Sequence, residues 1–252
     1  MEGSAAIERL PSRDRDGRAV PNGTPRQAVA ERPNLTLVGP HTRREVRPAT
    51  AKTTVYQAFG KRLFDIIFSL AFLVAVGSWL FPLLAIAIRA NSKGPVFFRQ
   101  RRVGLGGEVF TCLKFRTMAH CPNAGFVQAQ KDDCRITAVG RFLRRTNLDE
   151  VPQFVNVLVG DMSVIGPRPH VPELDGMFKD LIPAYTQRNS VKPGVSGLAQ
   201  VSGCRGETRS VREMNHRVRF DVFYCRNVSF AMDVKLVCLT VLRALRGDER
   251  AY

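Results

Sequence analysis

The longest apolar stretch of the chain covers residues 66–88 and contains no charged residue. A helix of about 20 apolar residues is long enough to cross the core of a bilayer, so this stretch predicts membrane insertion. Lys61 and Arg62 precede it and further basic residues follow it, which conflicts with a simple span because basic flanks prefer the cytoplasm. Pro82 interrupts the helical pattern. We therefore predict a re-entrant helix-break-helix over residues 56–92, with a simple span as the open alternative.

After this stretch the chain alternates short strand and helix patterns. Residues 94–118 alternate apolar and polar positions around a glycine-rich turn, which is typical of a β-hairpin. Residues 136–145 form a basic amphipathic pattern, which is typical of a helix on a membrane surface. Further helices are predicted over residues 151–158, 172–190, 209–224 and 232–245, and a strand over residues 198–201. The predicted fold class is α+β: a membrane-inserted helix, then a domain of amphipathic, interfacial helices with a small antiparallel sheet over residues 93–252.

The N-terminal part of the chain has a different composition. Residues 1–52 are rich in Arg, Glu, Pro, Gly and Ala and poor in aromatic residues. Such a segment buries too little surface to offset the entropy of ordering, so we predict a disordered tail. No apolar core follows Met1, which argues against a cleaved signal peptide.

The net charge indicates what kind of partner the protein binds, and the cysteines indicate in which cellular compartment the domain lies. The 252 residues carry a net charge of +16, which indicates anionic partners. Nucleic acid, anionic lipid and a phosphorylated substrate all meet that requirement. The six cysteines show no C-x-x-C spacing, so we interpret them as reduced thiols of a cytoplasmic domain.

Two adjacent acids, Asp149 and Glu150, follow a cluster of arginines that includes Arg144. Adjacent carboxylates repel each other, and a divalent cation such as Mg²⁺ would stabilise the pair. Arginine binds phosphate in a two-point geometry, so the stretch favours phosphoryl transfer with a carboxylate as nucleophile. The alternative is an acidic first turn of a solvated helix, capped by Asn147. The spacing of these residues does not decide between the two.

A resemblance extends over most of the chain and is carried by several motifs in one order. They are KRLFDIIFSL (61–70), GPVFFRQRRVG (94–104), FTCLKFRTM (110–118), DDCRITAVGRFLRRTNLDE (132–150), LDEVPQFVNVLVGDMSVIGPRP (148–169) and VKPGVSGLAQVSG (191–203). Together they resemble the bacterial sugar transferases, which are monotopic phosphoglycosyl transferases. That family moves a sugar 1-phosphate from a nucleotide sugar to a polyprenyl phosphate in the membrane. Its re-entrant hairpin often breaks at a Ser-Pro pair, whereas here Ser78 is followed by Trp79.

The resemblance implies a role for each acid of the pair. Asp149 is expected to attack the phosphorus attached to the sugar, which gives a covalent intermediate and releases UMP. Glu150 is expected to hold Mg²⁺, with Asp149 as a second metal ligand. Lipid acceptor and nucleotide sugar would then react in turn rather than together.

Four basic residues are expected to bind the phosphates of the substrate. Lys114 and Arg116 share one face of a strand by its period of two. Arg144 lies on the basic helix just before the acids. Arg168 stands between two prolines, which restrict its backbone.

The element RGET, residues 205–208, resembles the branch that uses UDP-glucose and undecaprenyl phosphate. We therefore predict transfer of glucose 1-phosphate at the bacterial inner membrane, as the first membrane step of exopolysaccharide or capsule synthesis, with the catalytic domain on the cytoplasmic face. UDP-galactose and UDP-N-acetylhexosamine are the alternative donors. From another class, a non-catalytic basic membrane adaptor or nucleic-acid binder is the alternative, although we expect no nucleic-acid partner. Homo-oligomers and polysaccharide-assembly partners stay open.

Overall fold

The first element, helix α1, extends from Tyr56 to Asn91 and is long and apolar enough to cross a membrane. Its backbone remains helical throughout, with π-helical segments at Tyr56–Gly60 and Leu73–Gly77. Pro82 lies inside the helix. The expected break of the chain is therefore replaced by a π-helical segment and an internal proline, both of which are known causes of kinks. The re-entrant course stays a prediction.

The computed structural model describes residues 54–119, 133–204, 206, 208 and 210–246. The predicted disordered tail, residues 1–52, lies outside the described residues, as do Arg205 and Glu207 of the RGET element.

Helix α1 packs against the rest of the structure on both sides of its second π-helical segment. Before this segment, the rings of Phe72 and Phe154 lie 4.4 Å apart. After it, the Phe81 ring meets Phe115 edge-on at 5.2 Å. The other faces of the helix are exposed; Ile86, for example, is 70% exposed. The two arms of α1, before and after the π-helical segment at Leu73–Gly77, therefore both lie against one domain and leave a wide apolar surface of the helix exposed.

A buried ionic group, which we call the Lys61 cluster (Lys61, Asp65 and Asp233), fixes the start of α1. The Lys61 Nζ atom lies 3.0 Å from Asp65 Oδ1 and 2.9 Å from Asp233 Oδ2. Asp65 also accepts the backbone N–H of Val164 at 3.0 Å, and Asp233 accepts the Tyr224 hydroxyl at 2.7 Å. Both carboxylates are almost fully buried. The cluster thus joins the membrane-type helix to the interior of the domain.

The predicted hairpin is confirmed. Strands β1 (Phe97–Val103) and β2 (Val109–Phe115) pair antiparallel, from Phe97 opposite Phe115 to Val103 opposite Val109. A short 3₁₀ turn at Leu105–Gly107 connects them. The hairpin places Lys114 near the end of β2.

The predicted helices are also present, with shifted ends. They are α2 (Ala138–Thr146), α3 (Gln153–Val159), α4 (Pro172–Phe178), α6 (Val211–Arg226) and α7 (Phe230–Arg246). The structure adds helix α5 (Leu198–Val201), which was not predicted as a helix, and 3₁₀ turns at Leu148–Glu150 and Tyr185–Ser190. The predicted helix over residues 172–190 is therefore two shorter elements.

The strand predicted over residues 198–201 is wrong, because that segment forms helix α5. The strand lies just before it: β4 (Gly194–Ser196) pairs in parallel with β3 (Ser163–Ile165), so the sheets are not all antiparallel. A side chain at Gly194 would collide with the backbone of Gly166, so this pairing depends on glycine. Four apolar-rich residues are too few for their periodicity to distinguish strand from helix.

Candidate active site

The acidic pair lies in a sharp reversal of the chain after α2. Asn147 ends that helix in the left-handed conformation, with φ of 62° and ψ of 14°. Asparagine tolerates this conformation better than most residues. The 3₁₀ turn at Leu148–Glu150 follows at once. Asn147 therefore acts as the end of one helix and sets the direction from which Asp149 and Glu150 approach β2.

Glu150 is held by two of the predicted phosphate-binding residues. It is 6% exposed. The Lys114 ammonium donates to Oε1 at 2.7 Å. The Arg168 guanidinium makes a two-point contact, with Nη1 at 3.0 Å from Oε2 and Nη2 at 2.7 Å from Oε1. Residues far apart in the sequence thus converge on one carboxylate with the strong geometry of charge-assisted hydrogen bonds.

Asp149 is half-buried beside this group. Burial, and next the negative charge of Glu150, raise the pKa of Asp149 to about 6. The charges of Lys114, Arg144 and Arg168 act in the opposite direction. These cations come from three separate parts of the fold. Asp149 is therefore a carboxylate of raised basicity that is mostly ionised at neutral pH and faces a cationic environment.

Arg144 reaches the same region from α2. Its Nε atom donates to the Thr117 hydroxyl at 2.9 Å. Burial lowers the pKa of Arg144, and the charges of Asp149 and Asp133 oppose that effect. The structure thus brings Arg144 into the electrostatic surroundings of Asp149, as the sequence predicts.

Arg116 does not reach the acidic pair. Strand β2 ends at Phe115, so the period-two argument that aligned Lys114 with residue 116 no longer applies there. The buried Arg116 guanidinium donates to the carbonyl oxygens of Ser92 and Lys93, each at 2.7 Å. This arginine fastens the chain just after α1, and its predicted contact with substrate has no support from its position.

Two arginines that the sequence analysis did not select hold the turn that carries Arg168. Arg102 donates through Nη1 to the carbonyl oxygen of Pro169 at 2.8 Å. Arg188 donates to the carbonyl oxygen of Arg168 itself. Burial, and next the charge of Arg168, lower the pKa of Arg102 to about 10. Neither contact has a local sequence pattern, because each joins residues far apart in the chain.

The donor chemistry of the pair fits magnesium. Mg²⁺ in proteins is commonly held by one or two carboxylates together with substrate phosphates and water. Within the part of the chain that the structure describes, no third histidine, cysteine or acid joins Asp149 and Glu150 in a metal-binding group. An ion bound here would take phosphate and water as further ligands, and at Glu150 it would share the two oxygens that accept from Lys114 and Arg168.

Comparison with known proteins identifies the family. Residues 56–247 match the family model of the bacterial sugar transferases. This chain belongs to that family. The family resemblance read from the sequence motifs is thus confirmed, and the Asp149–Glu150 pair lies inside the matched region.

Its relatives include proteins named for two different sugars. A UDP-glucose:undecaprenyl-phosphate glucose-1-phosphate transferase of Klebsiella pneumoniae is 46% identical over 184 residues, which are 73% of this chain and 39% of the relative. A protein of the same name from Caulobacter vibrioides is 44% identical over 214 residues, 84% of this chain and 79% of the relative. A UDP-N-acetylgalactosamine-undecaprenyl-phosphate N-acetylgalactosaminephosphotransferase of Aeromonas hydrophila is 40% identical over 193 residues, 75% of this chain and 44% of the relative. The chain thus spans about two-fifths of the length of the first and third of these relatives.

Proposed function

We propose that this chain transfers a sugar 1-phosphate from a UDP-sugar to undecaprenyl phosphate and releases UMP. The observation that carries the proposal is the half-buried Asp149, with its raised pKa, next to a Glu150 that Lys114 and Arg168 hold from two sides. The names of the relatives supply the substrate classes.

In the first step, a carboxylate oxygen of Asp149 attacks the phosphorus that bears the sugar. A bond forms between this oxygen and phosphorus, and the bond from phosphorus to the bridging oxygen of UMP breaks. UMP leaves with that oxygen, and the sugar phosphate remains on Asp149 as an acyl phosphate. Covalent catalysis of this kind divides one difficult transfer into two easier ones.

In the second step, a phosphate oxygen of undecaprenyl phosphate attacks the same phosphorus. The bond to Asp149 breaks, the carboxylate is restored, and undecaprenyl diphosphate sugar leaves. The two anionic substrates never have to meet in one complex. We place this product at the first membrane step of exopolysaccharide or capsule synthesis.

The cations around the pair stabilise the charge of the transferring phosphate. Phosphoryl transfer depends mainly on positioning and on electrostatic stabilisation of the phosphate oxygens. Arg168 keeps 24% of its side chain exposed and Lys114 13%, so both can share their charge between Glu150 and a substrate phosphate. Asp149 and Glu150 would hold Mg²⁺, which would neutralise further charge on the diphosphate.

Glucose is the donor sugar that we propose, because relatives at 44–46% identity are named for UDP-glucose. The N-acetylgalactosamine relative, at 40%, keeps a UDP-N-acetylhexosamine as the alternative. A screen of UDP-glucose, UDP-galactose and UDP-N-acetylhexosamines against the same acceptor separates these possibilities.

Helix α1 supports a place at a membrane, which we propose to be the inner membrane, with the catalytic domain on its cytoplasmic face. Both arms of the helix contact the same domain, through Phe72 and through Phe81. A helix that crossed the bilayer along the normal would carry one arm away from a domain on one side. We therefore propose that α1 enters and leaves by one face and holds Asp149 close to the headgroups of the lipid acceptor.

The test is UMP release by the purified full chain in membrane vesicles with Mg²⁺, with and without undecaprenyl phosphate. We expect continuous, lipid-dependent release with UDP-glucose that Asp149→Asn abolishes. Failure with every UDP-sugar would refute the proposal, and salt-sensitive binding of nucleic acid without UMP release would favour a non-catalytic basic adaptor instead. Full turnover by Asp149→Asn would refute the assignment of the nucleophile.

A further inference from the structure

Hydrogen bonds to the backbone carbonyl groups of the turn that carries Arg168 hold this turn in place. Each carbonyl oxygen of the four residues 167–170 accepts a hydrogen bond from another part of the fold. The donors are the Gly194 N–H to Pro167, the Arg188 guanidinium to Arg168, the Arg102 guanidinium to Pro169 and the Val103 N–H to His170. The prolines on either side of Arg168 fix their own φ angles, but they do not determine where the turn lies relative to the rest of the fold. These four contacts therefore determine where the turn lies in the site.

The contact to Arg168 itself comes from a fully buried ion pair. Arg188, on the 3₁₀ turn Tyr185–Ser190, is 2% exposed, and Asp221, on α6, is 1% exposed. Arg188 donates to Asp221 Oδ2 through Nε at 3.1 Å and through Nη2 at 3.0 Å. The same Nη2 donates to the carbonyl oxygen of Arg168. Asp221 thus orients a guanidinium that also lies 5.5 Å from the centroid of the Tyr185 ring and donates to the backbone of a site residue.

Stability alone does not account for such a pair. Removing two charges from water is expensive, and apolar residues of similar volume in place of a buried ion pair are often as stable or more stable. A neighbouring ion pair or apolar contact between α6 and the 3₁₀ turn would join these elements equally well. What the Arg188–Asp221 pair adds is a directed donor at one carbonyl group, on the residue whose side chain grips Glu150 at 2.7 Å.

We propose that Arg188, oriented by Asp221, is a positioning residue that places the Arg168 guanidinium on Glu150 and on the substrate phosphate. The inference rests on the proposed function, since it assigns part of that site's support. The contacts run from α6 through Arg188 to the Arg168 backbone, and from the Arg168 side chain to Glu150 beside the nucleophile. Misplacement of a positioned group by about 1 Å can lower a rate on the order of a hundredfold.

The test removes both charges of the pair together, so that neither Arg188 nor Asp221 is left buried without the other. Arg188→Met with Asp221→Leu roughly keeps the shape of the two side chains and loses the directed donor. The matched control is Arg226→Met, because Arg226 on α6 donates to Gln187 on the same 3₁₀ turn at 2.8 Å and is exposed. It joins the same two elements without contact to the Arg168 turn.

We expect kcat of the paired variant to fall roughly 10–100-fold while KM for the UDP-sugar changes less than about threefold. The Arg226→Met control is expected to keep wild-type kcat. The decisive measurement is a cycle with Arg168→Ala: once the Arg168 side chain is gone, the paired variant should lower kcat by less than about threefold more. The proposal would be overturned if the folded paired variant kept wild-type kcat. It would also be overturned if the fold-losses in kcat of the paired variant and of Arg168→Ala multiplied when the two were combined.

A second readout does not depend on turnover. The same cycle measured on the thermal midpoint should show non-additive shifts. The paired variant already weakens the Arg168–Glu150 contact, so Arg168→Ala has less left to remove. Additive shifts of the midpoint would contradict the positioning role. If the wild type releases no UMP from any donor, the proposed function fails while this stability cycle still decides the inference. If the paired variant does not fold, Asp221→Asn, which keeps size and one acceptor, takes its place in both cycles.

Discussion

Replacing Asp149 by asparagine should make the protein more stable while it destroys the proposed activity. The pKa of Asp149 in the folded protein, about 6, lies above its ordinary value of 3.8. The folded state therefore binds this proton more tightly than the unfolded state. The resulting stabilisation is complete below about pH 3.8 and is lost as the pH rises through about 6. At neutral pH the ionised Asp149 carboxylate destabilises the fold.

The size of this effect follows from the two pKa values. The difference between about 6 and 3.8 corresponds to about 3 kcal/mol, at about 1.4 kcal/mol per pKa unit. Because Asp149 is only half-buried, solvent screens part of the charge, and we expect a gain of about 1–3 kcal/mol. For a domain of this size that gain raises the melting temperature by roughly 2–10 °C.

The assay is thermal or urea unfolding of wild type and Asp149→Asn in the same detergent, in chelator, between pH 4 and pH 8. The gain of the variant should be close to zero at the acid end and should reach its full value by about pH 7. Asp180→Asn is the control, since Asp180 is exposed and a surface change there should stay within about 0.5 kcal/mol at every pH. A variant that is no more stable than wild type at pH 7.5, or a gain that does not change with pH, would show that the Asp149 carboxylate does not destabilise the fold.

Three further perturbations test the framework of the site. Lys61→Met leaves the two carboxylates of the Lys61 cluster without their cation, and the free energy of unfolding should fall by about 3–5 kcal/mol in a urea titration; a loss below 1 kcal/mol would contradict this. Gly140→Ala sets a methyl group against the backbone of Thr117, so we expect a loss of about 1–3 kcal/mol from overpacking, and an unchanged urea midpoint would count against that contact. Ile86→Lys places a charge on the exposed apolar face of α1, and inserting this charge costs about 2.5–3.5 kcal/mol if that face lies in the bilayer core. The fraction of protein that sediments with vesicles should therefore drop, and sedimentation equal to that of wild type would argue against insertion.

Local features of the fold were readable from the sequence because their causes are local. The alternating pattern of residues 94–118 predicts the hairpin that the structure contains. The basic amphipathic pattern predicts α2, and Gly160 ends α3 in the left-handed conformation, with φ of 108°. In each case neighbouring side chains or one turn residue determine the backbone, so spacing along the chain is enough information.

Contacts between distant segments were not readable in the same way. Lys61 and Arg62 read as basic flanks of a membrane segment, but Lys61 lies in a buried ionic cluster. Arg62 donates to the carbonyl oxygens of Val157 at 2.6 Å and Leu158 at 2.9 Å, at the end of α3. Both residues therefore attach α1 to the domain, a function that depends on partners about a hundred or more positions away.

The site itself was predicted in part. Lys114 and Arg168 were expected near the acidic pair, and both contact Glu150. Arg116 was placed there by strand periodicity, which fails because the strand ends one residue earlier. The support from Arg188 and Asp221 depends on tertiary packing alone. Sequence patterns thus identified side chains suited to phosphate chemistry but not the residues that position them.

The covalent step is tested most directly by one turnover without acceptor. The full chain, in vesicles that lack undecaprenyl phosphate, is mixed with UDP-glucose and Mg²⁺, and both UMP release and the mass of the peptide that contains Asp149 are measured. We expect a burst of UMP that does not exceed one equivalent per enzyme, and a glucose phosphate adduct on Asp149 that disappears when undecaprenyl phosphate is added. UMP release that requires the lipid from the first turnover, with no adduct on Asp149, would contradict a covalent intermediate on Asp149.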